Sequence, residues 1–281
     1  MLARRVVAAA SRPGRSPEAA GERPDVMVPE TATAPPGTQA EDREARVRRR
    51  RFPGAWPLLA VLAVQAALSL RLVRADTAYQ SEALYLHAGH LEWAHWLHGT
   101  PIPPFASYFS GAPVIYPPVG AAVDSLGGLT AARVLSLVFM LGATALLWGA
   151  AGRLFGRQAA FFAAALFALL GTTLHLGAFA TYDAMAVFLV ALAGWCVTRP
   201  GDRRPATAWM VAAAVALALA NAASYSSMLF DLVVALLALL AAPRGSGLLA
   251  ARRVATLLVV TAAFWRPGCW SAGPATAPGS S

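Results

Sequence analysis

Between Pro53 and Ala242 the chain is a succession of apolar runs, each about the length of a bilayer-crossing helix, broken by short turns. The runs cover residues 53–73, 129–151, 158–179, 181–198, 206–224 and 225–242. Inside hydrocarbon every backbone N–H and C=O must be satisfied within the chain, so runs of this kind become helices. The expected fold class is therefore all-α: a polytopic membrane helical bundle with about six transmembrane helices. A further interfacial helix is expected in the long first outer loop, residues 74–128. Composition agrees, with 57% hydrophobic and 13% charged residues and a mean hydropathy of +0.54.

The arginines orient these runs. Arg46 and Arg48 to Arg51 precede the first one; Arg153 and Arg157, then Arg199, Arg203 and Arg204, then Arg244, Arg252 and Arg253 fall at alternate breaks. The turns at Ala180 and Ser224 carry none. By the positive-inside rule the N-terminus is cytoplasmic and the 74–128 loop lies outside, in a multi-pass protein of the cell membrane. The formal charge of +9 is thus an orienting charge, beside anionic lipid, and nucleic acid is not an expected partner. No lysine occurs, which excludes Schiff-base chemistry and a lysine nucleophile. Residues 1–52, rich in proline, arginine and small polar residues without an apolar period, are expected to be a disordered cytoplasmic tail. Cys196 and Cys269 have no metal-ligand or redox spacing.

The outer loop opens with Asp76-Thr-Ala-Tyr-Gln-Ser-Glu-Ala-Leu-Tyr85. Thr77, three residues before Gln80, predicts a capping box that starts a helix reaching about Leu97, with Gly99 as its left-handed stop. On that helix Glu82 shares a stripe with Tyr85, Leu86 and Gly89, so a carboxylate, a phenol and a glycine gap line one groove. The other reading of Glu82 is an exposed acid stabilised by the helix dipole. The loop, with this helix, a proline-rich stretch and Trp93, Trp96, Tyr108, Phe109 and Tyr116, is expected to lie along the headgroups. His87, His90, His95 and His98 spread over a broad face without ligand spacing, and no metal site is expected.

Ionisable groups within or at the outer ends of spans are candidates for function, because a charge in the bilayer centre costs roughly 2.5–3.5 kcal/mol even on insertion scales. Arg71, Arg74 and Arg133 lie on the side that the arginine rule disfavours, where they either hold a lipid phosphate or snorkel to headgroups. Asp183 opens the fourth run at a helix N-terminus. His175, Asn221 and Asp231 lie in outer halves of their runs, either lining a cavity with Asp183 or serving as hydrogen-bonded packing residues.

Four segments in this order carry a resemblance: Gln-Ser-Glu-Ala-Leu-Tyr-Leu-His-Ala-Gly-His (80–90), Tyr-Phe-Ser-Gly-Ala-Pro-Val-Ile-Tyr-Pro-Pro (108–118), Ala-Ala-Arg-Val-Leu-Ser (131–136) and Phe-Ala-Thr-Tyr-Asp-Ala-Met (179–185). Over about residues 56–240 the chain resembles bacterial GT-C membrane glycosyltransferases of the protein O-mannosyltransferase and aminoarabinose-transferase group. The resemblance implies transfer of a sugar from a polyprenyl-phosphate donor to a protein, lipid or glycan acceptor at the outer face, without a cofactor. It also implies an acidic pair in the first outer loop, the first acid activating the acceptor. Here that pair reads Ser81-Glu82, so the base falls to Glu82 or Asp76, or is absent, with Asp183 as the further catalytic acid. Tyr85, Tyr116, Arg133 and Asp231 are expected to bind substrate. The last apolar run, 254–265, is short for a spanning helix and is followed by an aperiodic tail. A truncated gene product is therefore expected, and the alternative to an enzyme is a catalytically inactive membrane protein of the same descent.

Overall fold

The structure is a computed structural model that describes residues 55–75, 79–103, 105, 115–199, 204–242 and 247–264. The expected 1–52 tail, Asp76, Thr77, Tyr108, Phe109 and Cys269 lie outside the described residues. Among the described residues there is no strand, and the helices are α1 (Trp56–Ala75), α2 (Gln80–His98), α3 (Tyr116–Leu154), α4 (Arg157–Leu169), α5 (Gly171–Leu176), α6 (Tyr182–Val197), α7 (Arg204–Ala223), α8 (Met228–Leu240) and α9 (Gly247–Phe264), with a 3-10 turn at Tyr225–Ser227. This is the all-α membrane bundle that the apolar runs predict.

Its outside and inside have the polarity of a protein solvated by lipid. Phe162, Leu166 and Leu169 on α4, and Leu229, Leu232, Leu236 and Leu240 on α8, are exposed. Contiguous apolar surface on this scale is unfavourable in water and neutral in hydrocarbon. Polar side chains point inward: Gln65 and Thr144 are fully buried, and the Thr144 hydroxyl donates to Gln65 Oε1 at 2.7 Å. Such a bond joins α1 to α3 where lipid offers no alternative partner. Among the described residues α1 and α3 are individually long and apolar enough to cross a membrane, with mean hydropathies of 1.7 and 2.0 in their best windows.

Helix α3 is the hub, in contact with α1, α2, α4 and α6. Gly142 and Gly149, one heptad apart, leave room for Phe188 and Trp195 of α6, themselves one heptad apart; a methyl group at either glycine would collide with the facing ring. A second core forms where α6, α7, α8 and α9 meet, around Val197, Met210, Leu217, Val234 and Leu257.

Three boundaries differ from the expectation. The second run does not begin after Gly127-Gly128: α3 starts at Tyr116, with Pro117 and Pro118 in its first turn, and the two glycines are a kink inside it, Gly128 at φ 65°. Proline is favoured in a helix's first turn, where its missing N–H has no partner to lose. The 158–179 run is not one helix, because Leu170 is extended (ψ 132°) and separates α4 from α5. The last helix is longer than the 254–265 run, beginning at Gly247 and carrying Arg252 and Arg253 within it. At α2 the left-handed stop at Gly99 (φ 68°) is as expected. Its start is one of the corrections: Tyr79 is the N-cap, and the Tyr79 N–H donates to Glu82 Oε2 at 3.0 Å, so the reciprocal side chain is the Glu82 carboxylate and not the Gln80 amide.

Candidate functional site

The helix-cap geometry delivers Glu82 into the protein, not to its surface. The side chain is fully buried and both carboxylate oxygens are saturated. Arg133 Nε donates to Oε1 at 3.0 Å and Nη2 to Oε2 at 2.8 Å, while the Ala180 N–H donates to Oε1 at 2.6 Å and the Tyr79 N–H to Oε2. Burial pushes the Glu82 carboxyl up, but the bonds from Arg133, Ala180 and Tyr79 outweigh it and hold it below the ordinary glutamate range. The third arm of Arg133, Nη1, donates to the Val73 carbonyl at 3.0 Å, one of the unpaired carbonyls that end α1. One ion pair thus fastens the end of α1, the start of α2, the middle of α3 and the 177–181 turn.

Neither expected reading of Glu82 describes this geometry. It is not an exposed acid, and the groove predicted beside it is filled: Gly89 lies against the Pro117 backbone, so closely that no Cβ fits between them. Nor is Arg133 free for a lipid phosphate, since it is 4% exposed and committed to Glu82. Tyr116, expected to touch substrate, is completely buried, packed with Met185, Ala186 and Ala223. Asp231 accepts from Asn221 Nδ2 at 2.8 Å, with its other oxygen buried and without a partner among the described residues. Arg71 is exposed.

Accessible chemistry stands one layer away. Asp183, in the first turn of α6, lines an open cleft of about 520 Å³ with Gly171, Thr172, His175, Leu176 and Val187. Its closest described polar contact is a long one, 3.4 Å from the Ser224 hydroxyl to Oδ1. His175 is exposed into this cleft and not a hydrogen-bonded packing residue; its ring stacks on Phe179 at 4.3 Å. Phe179 in turn receives the Arg133 guanidinium at 5.4 Å and the edge of Tyr79 at 5.2 Å. Tyr85, half-buried, meets Tyr182 edge-to-face at 5.0 Å beside Asp183. The structure therefore brings Asp183, His175 and Thr172 to one surface, leaves Glu82 and Arg133 behind it, and keeps Asp231 in a separate contact with Asn221.

The cleft exists because the 158–179 run breaks. The extended Leu170 tips α5 away from α4, and the turn after α5 lets α6 start with Asp183 facing the gap. The sequence signal for His175 and Thr172 is weak, since both lie in a run that reads as uninterrupted. Glycine after an apolar stretch at Gly171 is the one cue. Glu92 is a second acid that sequence reading passed over: burial pushes it up to about 7, and one of its oxygens is buried without a partner among the described residues.

Comparison with known proteins reaches the same region. The family model for dolichyl-phosphate-mannose-protein mannosyltransferases matches residues 121–269, which takes in Arg133, the cleft with Asp183, and α9, beyond the 56–240 stretch of the expected resemblance. No curated protein and no solved structure matches the chain. The match covers more than half of the sequence, and the chain belongs to the dolichyl-phosphate-mannose-protein mannosyltransferase family, glycosyltransferases of the GT-C-like type.

Proposed function

We propose that the chain is a membrane glycosyltransferase, or the N-terminal portion of one, that moves a sugar from a polyprenyl-phosphate donor to a protein, lipid or glycan acceptor at the outer face of the cell membrane. The family's name supplies the nature of the donor and acceptor. The observation that carries the reading is the contrast between a saturated acid and an available one at the same end of the bundle. Transfer requires that the acceptor hydroxyl lose its proton as its oxygen bonds the anomeric carbon and the carbon–phosphate oxygen bond breaks. The proton needs a carboxylate with a free lone pair within reach. Glu82 has none, since each oxygen already accepts two bonds. Asp183 has an open side and a cleft in front of it. We therefore assign the base to Asp183, positioning to Glu82 and Arg133, and a wall of the acceptor site to Tyr85. The alternating arginines support an outer position for this end and a cytoplasmic N-terminus.

A second reading, a catalytically inactive protein of the same descent, is favoured by Ser81, exposed where the family's leading acid is expected. One experiment separates them. Membranes carrying the chain are given polyprenyl-phosphate [14C]mannose and an acceptor peptide, with Asp183→Asn and Asp231→Asn alongside. The enzyme reading expects transfer that falls roughly 10²- to 10⁴-fold in Asp183→Asn and little in Asp231→Asn. No transfer by the unmodified chain, in a preparation shown to be folded, supports the inactive reading.

A further inference from the structure

At the end of the bundle opposite the cleft, the last turns of α3 and α6 and the first of α7 hold two arginines on a pair of indoles. Trp195 and Trp209 meet edge-to-face, centroids 5.7 Å apart at 89°. The Arg199 guanidinium sits in the corner they form, 3.9 Å from the Trp195 ring and 4.7 Å from the Trp209 ring. Arg153 lies over the same Trp195 at 4.8 Å, its Nη1 donating at 3.4 Å to the Trp195 carbonyl and to the Thr198 hydroxyl. Two positive charges thus contact one indole.

Among the described residues neither arginine has an ion pair, and Arg199 Nε is buried without any partner. Cation–π contact fixes the plane of a guanidinium but leaves N–H groups at its edge open to an acceptor, and two like charges on one indole repel one another. An anion between them offsets that repulsion and supplies the missing acceptors. Guanidinium matches the oxygens of a phosphate in pairs, and the aromatic corner supplies an apolar floor at the height where headgroup meets chain.

We propose that Arg153, Arg199, Trp195 and Trp209 form a binding site for the phosphate headgroup of an anionic lipid in the leaflet on the arginine-bearing side. The site is separate from the transfer cleft and requires only that the bundle be in a membrane. It seats one lipid where α3, α6 and α7 converge, and so fastens the helix that presents Asp183 at its other end.

The test is lipid retention by the purified full chain, carried through detergent from an equal mixture of phosphatidylglycerol and phosphatidylcholine and counted by native mass spectrometry. The expected result is preferential retention of phosphatidylglycerol, reduced about tenfold in Arg199→Gln and by a smaller factor in Arg153→Gln, with Arg71→Gln unchanged. Arg153 is exposed, so its substitution reads out binding even where Arg199→Gln impairs folding. Equal retention of the two lipids by the unmodified chain overturns the proposal and leaves the arginines to a carboxylate close in sequence, such as Asp202. Retention unaffected by both substitutions overturns it as well. Loss of the preference on adding inorganic phosphate alone makes the site one for a soluble phosphate group and overturns the lipid assignment.

Discussion

Glu82 and Asp183 are both carboxylates near a helix start at the same end of the bundle, and they are built for opposite tasks. Around Glu82 everything is closed: no exposed surface, four hydrogen bonds and an arginine in bidentate contact. Around Asp183 the packing opens into a cleft, and a single hydroxyl touches it from afar. The two regions are joined, since the Ala180 N–H that caps Glu82 is three residues before Asp183. A rigid, satisfied ion pair on one side of that turn holds the available acid on the other in a fixed place. Proximity to a helix N-terminus says little about an acid's role; what decides is how many of its lone pairs the protein has already filled.

The comparison breaks most visibly at Glu82. Glu82→Ala leaves Arg133 buried without its partner, and removing one member of a buried pair costs about 3–5 kcal/mol. We expect a large fall in the thermal midpoint of the detergent-solubilised chain, measured by fluorescence-detected size exclusion after heating, whereas Asp183→Asn shifts it little. Equal midpoints for Glu82→Ala and the unmodified chain would remove the structural role assigned to the pair. Charge reversal of both partners, Glu82→Arg with Arg133→Glu, does not restore stability, because the Ala180 and Tyr79 N–H groups require an acceptor at position 82.

Acidity sharpens the contrast, because Glu82 and Glu92 are shifted in opposite directions on one helix. Glu82 is held below its ordinary value, so its contribution to stability is full above about 4.5 and is lost only as pH falls through the lower folded value. Glu92 is pushed up to about 7, so the folded state binds its proton more tightly than the unfolded one does. Its effect has the other sign: stability declines as pH rises from about 4.5 to about 7 and is constant beyond. Thermal midpoints recorded from pH 4 to 8 should fall over that upper window in the unmodified chain and fall less in Glu92→Gln. A decline of the same size in both would show that Glu92 is not the group responsible.

How much of this was readable beforehand follows from what kind of information each feature needs. The helices announce themselves through run length, and Gly99 marks the end of α2 because only a left-handed residue closes a helix there. The Gly127-Gly128 pair signals a break and so looks like the start of a span; the helical turns of Tyr116–Leu126 before it are signalled only by Pro117 and Pro118 as first-turn residues. The break at Leu170 is marked only by the glycine that follows it, as an extended leucine looks like any other residue in an apolar run. The Glu82–Arg133 pair joins residues 51 positions apart and the cap from Ala180 spans 98. No local pattern encodes such pairings, so a residue named for its chemistry alone, like Arg133 or Tyr116, is assigned to substrate when it belongs to the frame.

The smallest effect comes from a second ion pair on the same two helices, which isolates burial as the variable. His90 Nε2 and Asp124 Oδ2 are 2.8 Å apart, the same separation as Arg133 Nη2 and Glu82 Oε2, and again bring α2 and α3 together. The His90 and Asp124 side chains, however, are 44% and 22% exposed, against 5% and 0% for Arg133 and Glu82. Water and salt screen the outer pair, its histidine is charged only when protonated, and either member solvates freely once the other is gone. Exposed pairs contribute about 0–1 kcal/mol, so His90→Asn should shift the thermal midpoint by no more than a small fraction of the Glu82→Ala effect, and raised salt should shrink that shift further. Equal contact distance with such unequal consequence would show that the frame around Asp183 rests on desolvation and complete hydrogen bonding, and not on the meeting of opposite charges. A His90→Asn loss as large as that of Glu82→Ala would mean instead that the outer end of α2 is held by its rim.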